Sequence, residues 1–322
     1  MLLSLLVPVM LCSCAANVRY DETFFAMDTV ATFTVYEKHD GFSALCLSLL
    51  NDSEKELTAC GGYMITANED GQSIEVNQTI SELVTKSLYV SGLSDGCYDL
   101  TVAPLVTLWN VNGATEPPSE DDINAARGLV GYERIGIDGN MLSFPQKGMG
   151  IDLGSVGKGW AGDIIAAGLS ENGISSGIVN LGGNIRVFGR NPRSADGKFT
   201  IGIKDPFDTS SIIGTVKVTD TNVITSGSYE RYFVYKGKVY HHILDPGTGY
   251  PADSGLAAVT VICSDGALAD MLSTALFVSG EKSGREMLEA VSAEHPDVAA
   301  VFVHTDGAVT SFNADTYGAV LK

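Results

Sequence analysis

The sequence predicts an α+β fold, a single large domain of mixed or antiparallel sheets with helices packed against them. Three observations predict it. Apolar residues alternate in TVATFTVYEK (29–38), as on a half-buried strand, but recur with helical period in FSALCLSLLNDSEKEL (42–57) and TISELVTKSLYVSGL (79–93). Turn dipeptides separate strand-like runs at Gly182-Gly183, Lys236-Gly237 and Asp306-Gly307, which is hairpin chemistry and therefore antiparallel pairing. Strand and helix patterns come in runs rather than in strict βαβ alternation.

The elements follow in chain order. The N-terminal run MLLSLLVPVMLCSC is too short to span a membrane but has the length of a signal peptide's apolar core. Its ending, Leu11-Cys12-Ser13-Cys14, resembles a bacterial lipobox. Residues 1–13 are thus expected to be a lipoprotein signal peptide, with Cys14 lipidated and 14–24 a tether. The chain would be held on the outer face of the cytoplasmic membrane or on the periplasmic side. No Lys or Arg precedes the run, so the usual positive n-region is missing, and a buried N-terminal strand or helix is the alternative. Ser119-Glu120-Asp121-Asp122 reads as the capping-box start of a short helix. GSVGKGWAGDIIAAGLSENG (154–173) is a glycine-rich turn entering a helix that Gly173 stops. SGIVNLGGNIRVFG (176–189), RYFVYKGKVYHHIL (231–244) and VAAVFVHTDGAVTSF (298–312) are strand–turn–strand units. No repeat, low-complexity tract or linker interrupts residues 25–322, which read as one domain.

Composition narrows the function. Lys+Arg 20 against Asp+Glu 39 gives a net charge of -19, which disfavours nucleic acid and any polyanionic surface. A small polyanion would need a metal ion or local backbone donors. The six cysteines contain no C-x-x-C pair, so neither a zinc ribbon nor a thioredoxin-like motif is indicated, and those beyond Cys14 read as single buried thiols.

Three stretches could carry chemistry. GIDLGSVGKGWAGD (150–163) places glycines before a helix, where backbone N–H groups can converge on an anion. It matches neither a Walker P-loop nor G-x-G-x-x-G, and a packing turn explains it equally well. In YHHILDPGTGYPAD (240–253), His241 and His242 would point to opposite strand faces, so one can face a cleft as a general base while the other packs. In GALADMLSTALFVSG (266–280), Asp270, Ser273 and Thr274 form one polar stripe on an apolar helix. Asp270 and Thr274 can offer oxygens to a hard cation such as Mg²⁺, though spacing alone favours a helix N-cap or a satisfied buried Asp–backbone network.

The order of these stretches adds a family resemblance. MDT (27–29), YDLTVAPLVTLW (98–109), IDLGSVGKGWAGD, IVNLGGNIRVFG, TSGSYERYF (225–233), HHILDPGTGYPA and ALADMLSTALFV follow one another as in the ApbE-type FAD:protein FMN transferases, and the chain resembles that family over roughly residues 20–320. The resemblance implies an FAD cleft between two lobes. It also implies Mg²⁺-dependent transfer of FMN from FAD to a Thr or Ser hydroxyl of a partner protein, with AMP released. The partner would be an envelope redox protein. By motif, Asp270 and Thr274 match the metal pair and Ser155 supplies a backbone carbonyl. Met27, Cys97, Tyr98, Asp99, Asp152, Lys158 and Leu244 match FAD positions, and His242 matches the residue that activates the acceptor hydroxyl. Met27-Asp28-Thr29 departs from the frequent Met-Gly-Thr. TACGGYMITAN (58–68) lacks the family's usual Ser-Glu pattern, so no flavin contact is assigned there. Two rivals share the flavin site: an FAD pyrophosphatase, with water as acceptor, and a non-catalytic lipid-anchored flavin carrier. The carrier would need a covalent attachment motif, to which NGATE (112–116) is a faint match.

Overall fold

The computed structural model describes residues 18–322; the lipobox and Cys14 lie outside the described residues. The chain opens with β1 (Tyr20–Ala26) and β2 (Thr29–Val35), joined by a two-residue turn in which Met27 and Asp28 both have positive φ. Part of the expected tether, from Tyr20 on, is therefore an edge strand. Its alternating side chains give the reason, since Phe24 packs edge-on against the buried Phe33 at 6.0 Å. Next come α1 (Phe42–Leu57), β3 (Met64–Thr66), β4 (Ser73–Glu75), α2 (Gln78–Leu93), α3 (Ala103–Trp109) and α4 (Glu120–Arg127). Asn77 caps α2 by accepting from the Ile80 N–H, and Ser119 caps α4 by accepting from the Asp122 N–H, each satisfying a donor the helix leaves open. Short strands β5 (Gly136–Asp138), β6 (Met141–Ser143) and β7 (Gly150–Asp152) lead to α5 (Gly157–Glu171), which ends before Gly173 at φ 87°.

The second half is strand-rich. It contains β8 (Gly177–Leu181), β9 (Asn184–Phe188), β10 (Phe199–Lys204), β11 (Ile212–Val218), β12 (Thr221–Gly227), β13 (Tyr232–Tyr235), β14 (Lys238–His241) and β15 (Leu256–Cys263). Then α6 (Gly266–Ser292), β16 (Ala299–His304), β17 (Val309–Phe312) and β18 (Val320–Leu321) close the chain. Each expected hairpin forms. Gly182 and Gly183 have φ 63° and 101°, and Lys236 and Gly237 have φ 48° and 80°, the positive values that two-residue hairpin turns demand.

Eight strands form the main sheet in the order β1-β2-β8-β9-β12-β15-β16-β17, and every pairing in it is antiparallel. The sheet is covered on both faces. Phe33, Val179, Ile224, Val259 and Val261 face a layer containing α1, α2, α5 and α6. Val187, Val223, Ala258, Ile262 and Val301 face the small β10-β11-β18 sheet. Double coverage explains why β15 is buried at every residue and carries no polar alternation. A third cluster lies apart: Leu105, Trp109, Ile123, Phe233 and Leu244 join α3 and α4 to the β13–β14 hairpin. There the Trp109 indole N–H donates to the Gly249 carbonyl at 2.8 Å, and Phe233 stacks on Tyr240 at 5.2 Å.

Two features of the helix layer position the site. α6 carries a non-helical residue, Gly280 (φ 77°, ψ 167°), which turns the helix back on itself. α5 and α6 also cross with backbones in contact at Gly159 and Gly266. A Cβ on Gly159 would overlap the Gly266 carbonyl and stand 2.8 Å from the Asp270 Cβ. Gly159→Ala is therefore expected to lower stability by about 3 kcal/mol, the range for overpacking a site that cannot yield. Gly168→Ala, which meets only the Leu49 side chain, should cost clearly less. Urea midpoints of the two variants check this; equal losses would mean the helices can move apart.

Candidate active site

A cleft of about 1160 Å³ opens between the helix layer and the third cluster. Every residue assigned to the site by motif lines it: Met27, Cys97, Tyr98, Asp99, Asp152, Ser155, Lys158, His242, Leu244, Asp270 and Thr274. The turn between β1 and β2, the start of α5, the early turns of α6 and the chain leaving β14 bring them together.

Asp270 lies on the floor, 5% exposed. One carboxylate oxygen accepts from the Gly159 N–H at 2.9 Å and the other from the Asn184 amide at 2.9 Å. Burial pushes its carboxyl above the ordinary range, against the pull of Lys158, Gly159 and Asn184. Among the described residues no ion pair reaches it, so a buried carboxylate is held by neutral donors and remains short of positive charge. One turn on, the Thr274 hydroxyl lies 3.2 Å from Ser226 Oγ, which is also 2.8 Å from Ser273 Oγ. The Ser155 carbonyl has no backbone donor among the described residues, because the Gly159 N–H that could close onto it goes to Asp270. A carboxylate, a hydroxyl and a free carbonyl on one cleft are an oxygen donor set of the kind Mg²⁺ takes, so these residues fit the ion the family resemblance implies.

Lys158 supplies the positive charge of this wall. Its ammonium donates to the Gly154 carbonyl at 3.3 Å. Asp152, Glu230 and Asp270 all have carboxyls pushed up first by burial, and in each the charge of Lys158 acts in the opposite sense. α5 starts without a side-chain cap, so its N-terminus also presents positive character beside Lys158.

The histidines separate as strand geometry requires. His241 is buried, with Nε2 3.0 Å from the Ala252 carbonyl and its ring edge-on to Phe277 at 5.5 Å. His242 lines the cleft. Its Nδ1 lies 3.3 Å from the Arg231 carbonyl, which also accepts from the His242 backbone N–H at 3.1 Å. A carbonyl only accepts, so Nδ1 carries the proton and Nε2 presents a lone pair. Burial, then the charge of Arg231, hold this imidazole at about 4, against 6.5 for a free histidine.

Some assigned residues serve the scaffold as much as the cavity. Asp99 Oδ1 accepts from the Thr101 N–H and hydroxyl at 2.7 and 2.6 Å, and Oδ2 accepts from the Tyr132 N–H at 2.9 Å. Tyr98 is 2% exposed, its hydroxyl set between Ser87 and Ser155, so it forms wall rather than a projecting ring. Cys97 is only partly buried, as is Cys60, unlike Cys46 and Cys263. Other lining residues received no assignment. Gly61, Gly62, Tyr63 and Met64 come from the stretch 58–68, from which no contact was expected; the Tyr63 hydroxyl donates to Glu54, which also accepts the Met27 N–H. Asn184 follows the Gly182-Gly183 turn, and Glu230 and Arg231 lie inside TSGSYERYF, so the signal for all three was a motif whose polar members had no role. Asn112 reaches the cleft, but Thr115 of NGATE does not line it.

A family model, the ApbE family, matches residues 27–302. The chain belongs to the ApbE family. It is 34% identical over 234 residues to an FAD:protein FMN transferase of Klebsiella pneumoniae, covering 71% of this chain and 70% of that one. With an FAD:protein FMN transferase of Vibrio cholerae it shares 33% over 257 residues, covering 76% and 77%. Its fold is similar to an ApbE protein of Thermotoga maritima (TM-score 0.78, 28% identity, 93% and 98% covered). It also matches the flavin transferase ApbE of Vibrio cholerae (TM-score 0.77, 26% identity, 94% and 98% covered). The ApbE cleft therefore sits on an antiparallel α+β framework in this chain.

At neutral pH the His242 ring is expected as the uncharged Nδ1–H tautomer, protonating only near 4. Ring ¹⁵N shifts followed through a pH titration measure it, and a midpoint near 6.5 would contradict the buried geometry. The sign for stability follows. The unfolded chain binds this proton near 6.5 and the folded chain only near 4, so His242 withdraws stability as pH falls through that window.

Proposed function

We propose that this chain transfers FMN from FAD to a Thr or Ser hydroxyl of a partner protein and releases AMP, with Mg²⁺ held by Asp270, Thr274 and the Ser155 carbonyl. One observation carries the reading. The neutral imidazole of His242, the undercompensated carboxylate of Asp270 and the cationic start of α5 open onto the same cleft. Family membership supports it, since relatives of this chain are named FAD:protein FMN transferases. The lipobox ending at Cys14 adds the proposal that the enzyme is lipid-anchored in the bacterial envelope and meets its acceptor there.

Each residue's task follows from its position. Lys158 and the free N–H groups at the start of α5 bind the diphosphate, an anion this acidic chain could not otherwise hold. The bound Mg²⁺ supplies neutralisation of the charge that develops on the transferred phosphoryl group. His242 Nε2 takes the proton of the acceptor hydroxyl as its oxygen bonds to the FMN phosphorus; the phosphorus–oxygen bond to the AMP phosphate breaks, and AMP leaves. The Arg231 carbonyl keeps the ring in the tautomer that can accept. Diphosphate bound near Lys158 and Arg231 offsets positive charge that depresses His242, and so strengthens it as a base when substrate is present.

Incubation with FAD, Mg²⁺ and an acceptor protein should yield a fluorescent protein band and AMP. Free FMN with an unlabelled acceptor would instead make water the acceptor, and flavin on this chain itself would make it a carrier. His242→Ala should keep FAD affinity and lose transfer by about 10² to 10⁴, the usual contribution of a general base. His241→Ala should change it far less. Full activity in His242→Ala removes the base from the mechanism.

FAD at about 100 times its dissociation constant should stabilise the protein by roughly 2.7 kcal/mol when Mg²⁺ is present. That gain should shrink sharply in EDTA and in Asp270→Ala. An unchanged thermal shift without Mg²⁺ would exclude a metal-bridged diphosphate.

A further inference from the structure

Outside the cleft, the loops at the two ends of α6 bring a thiol, an imidazole and a carboxylate together. β15 ends at Cys263, and the reversal at Gly280 returns the chain beside it, where Ala299 of β16 pairs with Ile262. His295 and Asp297 lie on that returning loop. One ligand-type atom from each of Cys263, His295 and Asp297 lies within 4.8 Å of the other two. We propose that these three side chains form a second metal site, for one zinc-class divalent ion, distinct from the oxygen site at Asp270.

The donor set selects the ion. Sulfur, nitrogen and oxygen together suit a borderline metal, whereas Mg²⁺ prefers oxygen alone. A tetrahedral zinc with these ligands needs donor atoms about 3.3–3.7 Å apart, so side-chain adjustments of about 1 Å complete the geometry. The surroundings already orient the ligands. The Ser264 N–H donates to Asp297 Oδ2 at 2.6 Å, and the Tyr317 hydroxyl donates to the Asp297 carbonyl at 2.6 Å. The His295 ring is partly exposed and has no hydrogen-bond partner among the described residues, so it is free to ligate. An entry path exists, because His295 and Asp265 border a cavity of about 570 Å³.

Burial, then Asp297, Asp265 and Asp163, hold the Cys263 thiol up at about 12, so the metal-free site carries S–H. On binding, the S–H bond breaks, a sulfur–metal bond forms and the proton leaves to solvent. The same carboxylates that oppose a thiolate attract the cation. The ion would clasp both ends of α6, the helix whose early turns carry Asp270 and Thr274.

The test is a Co²⁺ titration of the chelator-stripped full chain in excess Mg²⁺, which occupies oxygen sites and leaves a thiolate site free. One equivalent should bind and produce a near-ultraviolet thiolate-to-cobalt charge-transfer band that Zn²⁺ bleaches. Cys263→Ser should abolish the band. His295→Ala should weaken Co²⁺ binding by about tenfold or more, since even residues behind the ligands cost that much. No band in the wild type, a band that survives Cys263→Ser, or unchanged affinity in His295→Ala overturns the proposal. Should Cys263→Ser fail to fold, the partly exposed His295 carries the test alone.

Discussion

The contact between the Gly159 N–H and the Asp270 carboxylate organises the rest of this site. It exists because α5 and α6 touch backbone to backbone, which only glycine at 159 and 266 permits. The hydrogen bond diverts the Gly159 N–H from the helix ladder, and so frees the Ser155 carbonyl one turn earlier. Lys158, the neighbour of Gly159, lies near enough for its charge to act on Asp270. A single close helix crossing thereby sets the spacing between the start of α5, which favours anions, and the polar stripe of α6, which favours cations. A side chain at either glycine would change both together.

Charge in the cleft is arranged by scarcity. The chain carries an excess of acid, and four carboxyls in the cleft, Asp99, Asp152, Glu230 and Asp270, are raised by burial. Lys158 moderates the last three, with Arg231 acting on Asp152 and Glu230 and Lys204 on Glu230, which leaves each of them partly compensated. The pocket therefore suits the binding of a cation beside the acids and of an anion beside these basic side chains. The two events favour each other, because each supplies the charge the other lacks.

Much of this was legible in the sequence. α1 has the span its apolar period predicts, and each glycine turn became the hairpin its residues require. The polar stripe on α6 and the opposite facing of His241 and His242 follow from helix and strand periods alone. The unread parts share a physical cause. β15 is covered on both faces, so its apolar run, broken only by the buried Thr260, carries no period to read. The edge strand at Tyr20 resembled a tether because only one side of it pairs. Roles also stayed hidden where they depend on contacts distant in sequence. Asn184 meets Asp270 across 86 residues, and Asp99 is occupied by Tyr132. The residues assigned by motif position all line the cleft, but position alone did not tell that Asp99 and Tyr98 would brace its wall.

The β13–β14 hairpin, which presents His242, belongs to no larger sheet. Phe233 and Tyr240 pack with a satellite of five buried side chains, whereas the end that bears His242 is tied to the main core through His241 on Phe277 and through the buried Ile243, the same core that embeds the helix of Asp270. Local opening free energy scales with such burial, so compliance within the hairpin falls from its exposed strands to the end that holds His242. The Asp270 wall is rigid and keeps its oxygens in register. His242 is pinned between the buried His241 and Ile243, while Tyr232, Val234 and Val239 of the hairpin are exposed. For the proposed transfer to a protein acceptor, such a gradient would let the rim yield to a bulky polypeptide while the imidazole and the Asp270 oxygens stay where they are.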